Sequence, residues 1–383
     1  MITTVHNDIE KSAILRTLAI MRGKYRVNIE RLLESGANYL LNIDVLPESL
    51  KIATEEYQNT ERYKGQFVPF FSDKYPPLLR FIPNPPLCLI ALGNIEILQQ
   101  KSIAMVGSRA ASYNGLQMAD FFSKSLSNEG WVVVSGLAKG IDAKSHIGAI
   151  KSTIAVIGSG ISSRYPAENT KLYDEIIANN SCIITEFSFD VKPIPANFPQ
   201  RNRIIAGISH ATLIVEAGMQ SGSLVTARLA REFNREVFAI PGFALDEKFR
   251  GNNYLIKKNI AKLVESIADI SDELADVYIE KPATNARKIE ENDIFNSIPK
   301  ASKNKEAPAG NNQSEQAAHE ESNGAKSPKD LVLSVISTQY ISTDEICRRS
   351  GLSAENVSIL MMELELEGLV ISNGINGFCR KFK

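Results

Sequence analysis

Cysteine is scarce and scattered in this chain. Four stand in 383 residues, Cys88, Cys182, Cys347 and Cys379, with no C-x-x-C pair and no histidine cluster beside them. That excludes the usual zinc spacings and a disulfide framework, and it fits a reducing cytosol. No run of roughly 18 apolar residues occurs, so no helix is expected to span a membrane. The opening MITTVHNDIEKSAIL lacks the apolar core of a signal peptide, and a cytoplasmic location is expected. Charge of either sign is not in surplus: 43 Lys and Arg stand against 44 Asp and Glu. Any nucleic-acid site must then be a local concentration of basic groups rather than a global field. The sequence also lacks a G-x-x-x-x-G-K-[ST] loop, a G-x-S-x-G elbow and a close carboxylate pair. His146 and His210 are isolated. No catalytic residue, metal or cofactor is expected.

What is present falls into segments. Residues 1–65 read as short helices punctuated by Gly23, Gly36 and Pro47, a small domain of the SAM or helix-hairpin-helix kind. A proline-rich bridge, 66–100, is incompatible with a long helix. From 281 to 327 the composition is polar and aperiodic, which predicts a flexible linker. Apolar periodicity returns over 328–383.

Between these, over 101–280, short apolar runs (SIAMV, WVVV, TIAVI, CIIT, ATLIV, EVFAI) alternate with glycine- or serine-bearing loops and helical stretches. Strands buried on both faces read as continuous apolar runs, and their alternation with helices implies a parallel sheet. The expected fold is therefore α/β, a Rossmann-like doubly wound and mostly parallel sheet. Ligands of such sheets bind beyond the carboxyl ends of the strands.

The loops at those ends are GSRAAS, SGLAKGID, GSGISSRYP, EFSFDVKPIPANFPQRN and EAGMQSGS. Glycine lets backbone N–H groups approach an anion, and serine adds a small donor. Arg109, Lys139, Arg164, Arg201 and Arg203 bring cations to the same edge, with Asp142, Glu186 and Glu216 as partial offsets. Convergence of five such loops predicts a phosphate-binding rim. Simpler readings stand beside it: Gly107 and Gly136 as tight turns, and Arg109 paired with Glu216. GSGISS matches a dinucleotide fingerprint in form, but Tyr165-Pro166 interrupts it and no acidic partner is clearly placed downstream.

The stretch FPQRNRIIAGIS puts Arg201 and Arg203 at a helix start, where the N–H groups are already partly positive. Either nearby carboxylates neutralise them or an external anion does. Phe198 reads as a ring for base stacking or as a staple packed outside the cap.

Together, VGSRAAS, SGLAKGIDAKSH, NFPQRNRIIAGIS, EAGMQSGSLVTA and REVFAIPG resemble, in order and spacing, the DNA processing protein A family (DprA, also called Smf). The resemblance implies a bacterial, non-enzymatic protein that binds single-stranded DNA and helps load the RecA recombinase in natural transformation; a homodimer is expected because tight binding through few cations needs several protomers along one strand. It implies strand contacts at Ser108, Arg109, Lys139, Phe198, Arg201, Asn202 and Arg203, beside Gly158, Gly160, Ser221 and Gly222. It also points to 249–266 for self-association. Four phosphate-neutralising cations give an expected log K against log[salt] slope of about −3. The first 65 residues lack a glycine-rich hairpin, which argues against DNA contact there.

Two rivals on a related scaffold are a phosphoribohydrolase-like enzyme and a nucleotide sensor. The former would carry a carboxylate just inside the helix after the fifth strand, where this chain has Leu224, Val225, Thr226 and Ala227. Finally, 328–383 reads as three helices and a turn-bearing tail, resembling a winged helix. Its third helix carries Glu355, Glu363, Glu365 and Glu367 and no lysine or arginine, which predicts a protein-interaction module, with Arg348, Arg349 and Arg380 as the exception.

Overall fold

Four helices open the chain: α1 (Ile2–Arg22), α2 (Ile29–Ser35), α3 (Ala37–Leu41) and α4 (Pro47–Arg62). Pro47 supplies a preset φ at the first turn of α4, and Asn28 caps α2 by accepting from the Arg31 N–H. Ile14, Leu18 and Ala19 of α1 pack on Ala53 of α4. Arg22 and Glu56 join the same two helices through bonds of 2.6 and 2.7 Å, with the carboxylate only 6% exposed. Tyr57 stacks on Phe67 at 5.0 Å between centroids, which fastens these helices to the first strand of the sheet. The computed structural model describes residues 2–275 apart from 24 and 26, 328–372 apart from 337–340 and 367–368, and 377–380. The expected linker, 281–327, lies outside the described residues.

The proline-rich bridge contains no α-helix, yet it contributes two strands that periodicity did not reveal, β1 (Gln66–Pro69) and β2 (Cys88–Gly93). Each of the six apolar runs then forms a strand: β3 (Ser102–Val106), β4 (Val132–Ser135), β5 (Thr153–Val156), β6 (Cys182–Thr185), β7 (Ala211–Ile214) and β8 (Glu236–Ala239). A two-residue strand, β9 (Lys262–Leu263), closes the far edge. The order is β1-β2-β6-β5-β4-β3-β7-β8-β9. Every pair from β6 to β9 is parallel, while β1 and β2 are antiparallel additions.

Helices α5 (Tyr113–Asn128), α6 (Ile141–Gly148) and α7 (Thr170–Ala178) follow β3, β4 and β5. Helices α8 (Asn197–Ile208), α9 (Gly222–Glu232) and α10 (Arg250–Lys257) follow β6, β7 and β8, and α11 (Ile267–Leu274) comes last. The chain winds from β3 one way and from β7 the other. Right-handed crossovers in opposite directions place α5, α6 and α7 on one face and α8 and α9 on the other. In keeping with this, α5 packs on α6 and α8 on α9. The winding therefore reverses between β3 and β7, and the loops leaving those strands mark the ligand crevice. Helices and sheet together make one compact unit, Met1–Ala283.

The second unit, Thr284–Lys383, holds α12 (Pro328–Val335), α13 (Thr343–Ser350) and α14 (Ala354–Leu366). Val332, Ile346, Val357, Met361 and Leu364 form its core. Ser342 caps α13 and Ser353 accepts from the Asn356 N–H. The tail is more ordered than a turn: β10 (Val370–Ser372) and β11 (Phe378–Arg380) pair antiparallel, completing three helices and a wing.

Candidate functional site

The rim at the strand ends is assembled from below by buried polar groups. Glu216, at the end of β7 and fully buried, spends its carboxylate on Ser112, accepting from the backbone N–H at 3.0 Å and from the hydroxyl. Its oxygens are thus taken up by Ser112, and among the described residues no carboxylate forms a salt bridge with the Arg109 guanidinium. The Ser108 N–H donates to Glu216 O at 2.7 Å and the Ser108 carbonyl accepts from Ile141 N–H at 3.2 Å. Ser108 is thus tied to the frame while Arg109 is turned outward.

The loop after β4 is held just as closely. Asp142 accepts from the Gly136 and Ala138 N–H groups at 3.1 and 3.4 Å. His146 Nε2 accepts from Leu137 N–H at 3.3 Å, and Asn169 donates to the carbonyls of Leu137 and Ala138. These contacts hold Leu137 at φ 56°, a backbone region a branched side chain rarely adopts. Burial pushes the His146 imidazole down to about 3 and raises Asp142 above the ordinary carboxylate range. His146 is a neutral acceptor here, with Nδ1 2.7 Å from the Thr153 hydroxyl. Lys139 leaves this braced loop and pairs with Glu168, both more than half exposed.

Helix α8 supplies the ring. It begins at Asn197, so Phe198 lies inside its first turn and not outside the cap, which removes the staple reading. Phe198 is half-buried against Gly158, whose carbonyl accepts from the Asn197 side chain at 3.0 Å. Its ring is 5.7 Å from that of Tyr165, tilted by 32°. On the ring sits Arg109, its guanidinium carbon 5.4 Å from the centroid. A guanidinium, two aromatic rings and the Lys139 ammonium thus share one edge.

Other expected contacts are corrected by their burial. Arg201 is 4% exposed, donates to Val156 O, and runs beneath Gly136 so closely that any side chain there would meet its Nη1 at 2.1 Å. Desolvation lowers it to about 10, with Asp142 as the compensating charge. It props the loops and faces no solvent. Arg203 is bound to Glu186 behind the rim, the two side chains 18% and 9% exposed. The charge at the mouth of α8 is thus neutralised internally. Gly160 is buried, and its N–H donates to Val191 O at 2.8 Å, so it has no donor to offer. Asn202 is half-buried on α8. Ser221 caps α9 by accepting from Ser223 N–H, with Gly222 exposed beside it. Arg164 pairs with Asp174 at 2.6 Å.

Tyr165 was missed as a site residue. Its signal was present, since the Tyr-Pro that spoils a dinucleotide fingerprint also delivers a ring, 46% exposed, to the rim.

No helix among the described residues is long and apolar enough to cross a membrane, and no group of metal-ligating side chains occurs among them. Residues 66–275 match the family model for DNA recombination-mediator protein A, and 315–373 match that for the DprA winged helix domain, starting inside the stretch read as linker. Protein Smf of Escherichia coli is 38% identical over 208 residues, a match that covers 54% of this chain and 56% of that relative's length. DNA processing protein DprA of Streptococcus pneumoniae is 43% identical over 211 residues, 54% of this chain and 74% of the relative. Its X-ray structure superposes with a TM-score of 0.55 over 69% of this chain and 95% of that one, at 33% identity. DNA processing protein A of Helicobacter pylori, whose structure is described for a single-stranded DNA binding mode, gives 0.51 over 55% and 97% at 27% identity. With the matched sheet, its reversal point and its rim all accounted for, this chain belongs to the DNA recombination-mediator protein A family.

Proposed function

We propose that the chain binds single-stranded DNA along the rim, as a homodimer in the cytoplasm, without catalysing a reaction, and passes the strand to a RecA-type recombinase in DNA uptake. The observation that carries this is the Arg109 guanidinium on the Phe198 ring at the reversal of the sheet. A phosphate drawn to Arg109 brings its base to that ring. Stacking on an aromatic side chain contributes about 1–3 kcal/mol per base and is indifferent to sequence. A duplex keeps its base faces covered, so the same edge discriminates against it.

Support for a binding rather than catalytic role comes from the first turn of α9, which has no carboxylate, against the expectation for a phosphoribohydrolase. The Ser135 hydroxyl donates to Met105 O and His146 is locked in the core, so neither pairs as nucleophile and base. The single-stranded DNA binding mode described for the Helicobacter pylori relative adds to the strand reading. For self-association, most apolar residues of 249–266 serve their own core, and Leu263, 46% exposed on β9, is the surface candidate. The C-terminal unit is assigned to protein contact, because Arg348 and Arg349 are both spent on Glu345 and α14 carries Glu363 and Glu365. The domain plan follows: 1–65 helical, 66–280 sheet, with the proline-rich 66–100 supplying β1 and β2, 281–327 linker, 328–383 winged helix.

The test is titration of labelled single- and double-stranded oligomers of several lengths across a salt series. The reading requires preference for single strands and affinity that grows with length; equal binding of a mononucleotide would instead favour a nucleotide sensor.

A further inference from the structure

We infer that the groove between α5 and α6 receives a nucleobase of the same strand after it has crossed the rim. This rests on the single-strand reading above and extends it to the opposite face of the sheet. The groove is open and holds about 370 Å³, with Leu116, Ala143 and Ile147 as apolar walls and the Gly140 backbone at its end. Ligand pockets run from roughly 300 to 1,000 Å³, so this one has room for a single flat ring system and not for a folded segment. Arg109 and Lys144 flank it.

Two features choose a nucleotide over a protein side chain as occupant. The first is continuity. Arg109 lines the groove and also rests its guanidinium on Phe198, so one residue borders both the ring at the start of α8 and the pocket beside α5. Since α8 and the α5–α6 pair lie on opposite faces, a strand leaving Phe198 over Arg109 descends directly on this groove. The second is charge. Asp120 is shared by Lys124 at 2.6 Å and Lys144 at 3.1 Å, which leaves one positive charge uncompensated in that cluster, beside Arg109. Apolar walls between two cationic sites suit a base with a phosphate on either side. Ile147, 48% exposed, forms the outer wall, open to a base that lies against it.

The test uses the full chain and oligothymidylates carrying one 5-iodouracil at successive positions. On irradiation, Phe198 is expected to crosslink from one position and, in the Ile147→Tyr protein, residue 147 from a position further along. In parallel, Ile147→Glu is expected to weaken binding of long oligomers about five-fold or more, the loss of one stacked base, and to leave the shortest oligomers unaffected. Ile147→Ser, which adds no charge, should give a smaller loss in the same direction. Crosslinking at Phe198 with none at residue 147, and parent-like affinity in Ile147→Glu, would overturn the groove assignment while leaving the rim intact. Absence of crosslinks at both would overturn the strand reading itself. Loss of self-association in Ile147→Glu with strand affinity unchanged would reassign the groove to protein contact.

Discussion

Lys139 and Glu168 meet across the rim, the ammonium on the loop after β4 and the carboxylate on the turn that leads into α7, each more than half exposed. A strand phosphate that takes Lys139 has to displace Glu168. The carboxylate thus acts as a built-in competitor, and its pKa is lowered by the same lysine. Replacing it, Glu168→Gln, is expected to tighten single-strand binding about two- to five-fold at low salt, in line with an exposed pair. The gain should fade as salt rises. Fluorescence anisotropy at two ionic strengths checks this, and an unchanged affinity at low salt would show that Lys139 does not meet phosphate.

The salt dependence itself is expected to be shallower than the sequence suggested. With Arg201 and Arg203 occupied inside, Arg109 and Lys139 remain as the rim cations, and the two phosphates they neutralise contribute about −1.4 per protomer, with about −0.7 more where the strand also reaches Lys144 in the groove. Arg109→Ala should lower its magnitude by about 0.7 without a change in the thermal melt, because the side chain is exposed. A slope near −3 that persists in Arg109→Ala would place the phosphate contacts elsewhere.

Phe198→Ala is expected to cost about 1–3 kcal/mol in affinity for single strands and nothing measurable for duplex. Tyr165→Ala, at the neighbouring ring, should cost less. Parallel titrations with both forms of DNA decide the matter, and equal losses for the two would exclude stacking.

Arg201→Met should behave differently from these rim variants. Its removal strips the compensating charge from buried Asp142 and the donor from Val156 O, at a cost of about 3 kcal/mol or more in stability. The expected result is a lower urea midpoint, with any loss of binding following from unfolding.

His146 adds a pH dependence with a definite sign. Its folded value of about 3 lies below the ordinary 6.5, so its contribution to stability is complete above 6.5 and is lost as pH falls toward 3. The slope is at most about 1.4 kcal/mol per pH unit. Asp142 and Glu186, raised by burial, act in the opposite sense: their contribution is present below the ordinary carboxylate range and is lost as pH rises through their folded values. Denaturation of parent and His146→Asn proteins at pH 7, 6 and 5 isolates the histidine, as the difference between them should narrow toward low pH.

The sheet was legible because its strands are buried on both faces, so each apolar run such as CIIT or ATLIV announces itself without alternation. β1 and β2 were not, since prolines surround them and pairing with β6 is a long-range event that no local pattern encodes. At the rim, residue type was readable but its direction was not. Arg109 and Arg201 look alike in the sequence, and only packing turns one outward and sends the other beneath Gly136. The Lys139–Glu168 pair is 29 residues apart, and Glu216 is committed to Ser112 across 104, distances at which charge pairing cannot be assigned from order alone.

The borders of the sheet bear on how such a protein crowds. β9 offers only two residues and β1 only four, ending in a proline that has no N–H to donate. Neither margin is long enough to recruit a foreign strand by backbone pairing. Many copies can therefore be packed side by side at high local density, with little risk that they polymerise through their edges into insoluble ribbons.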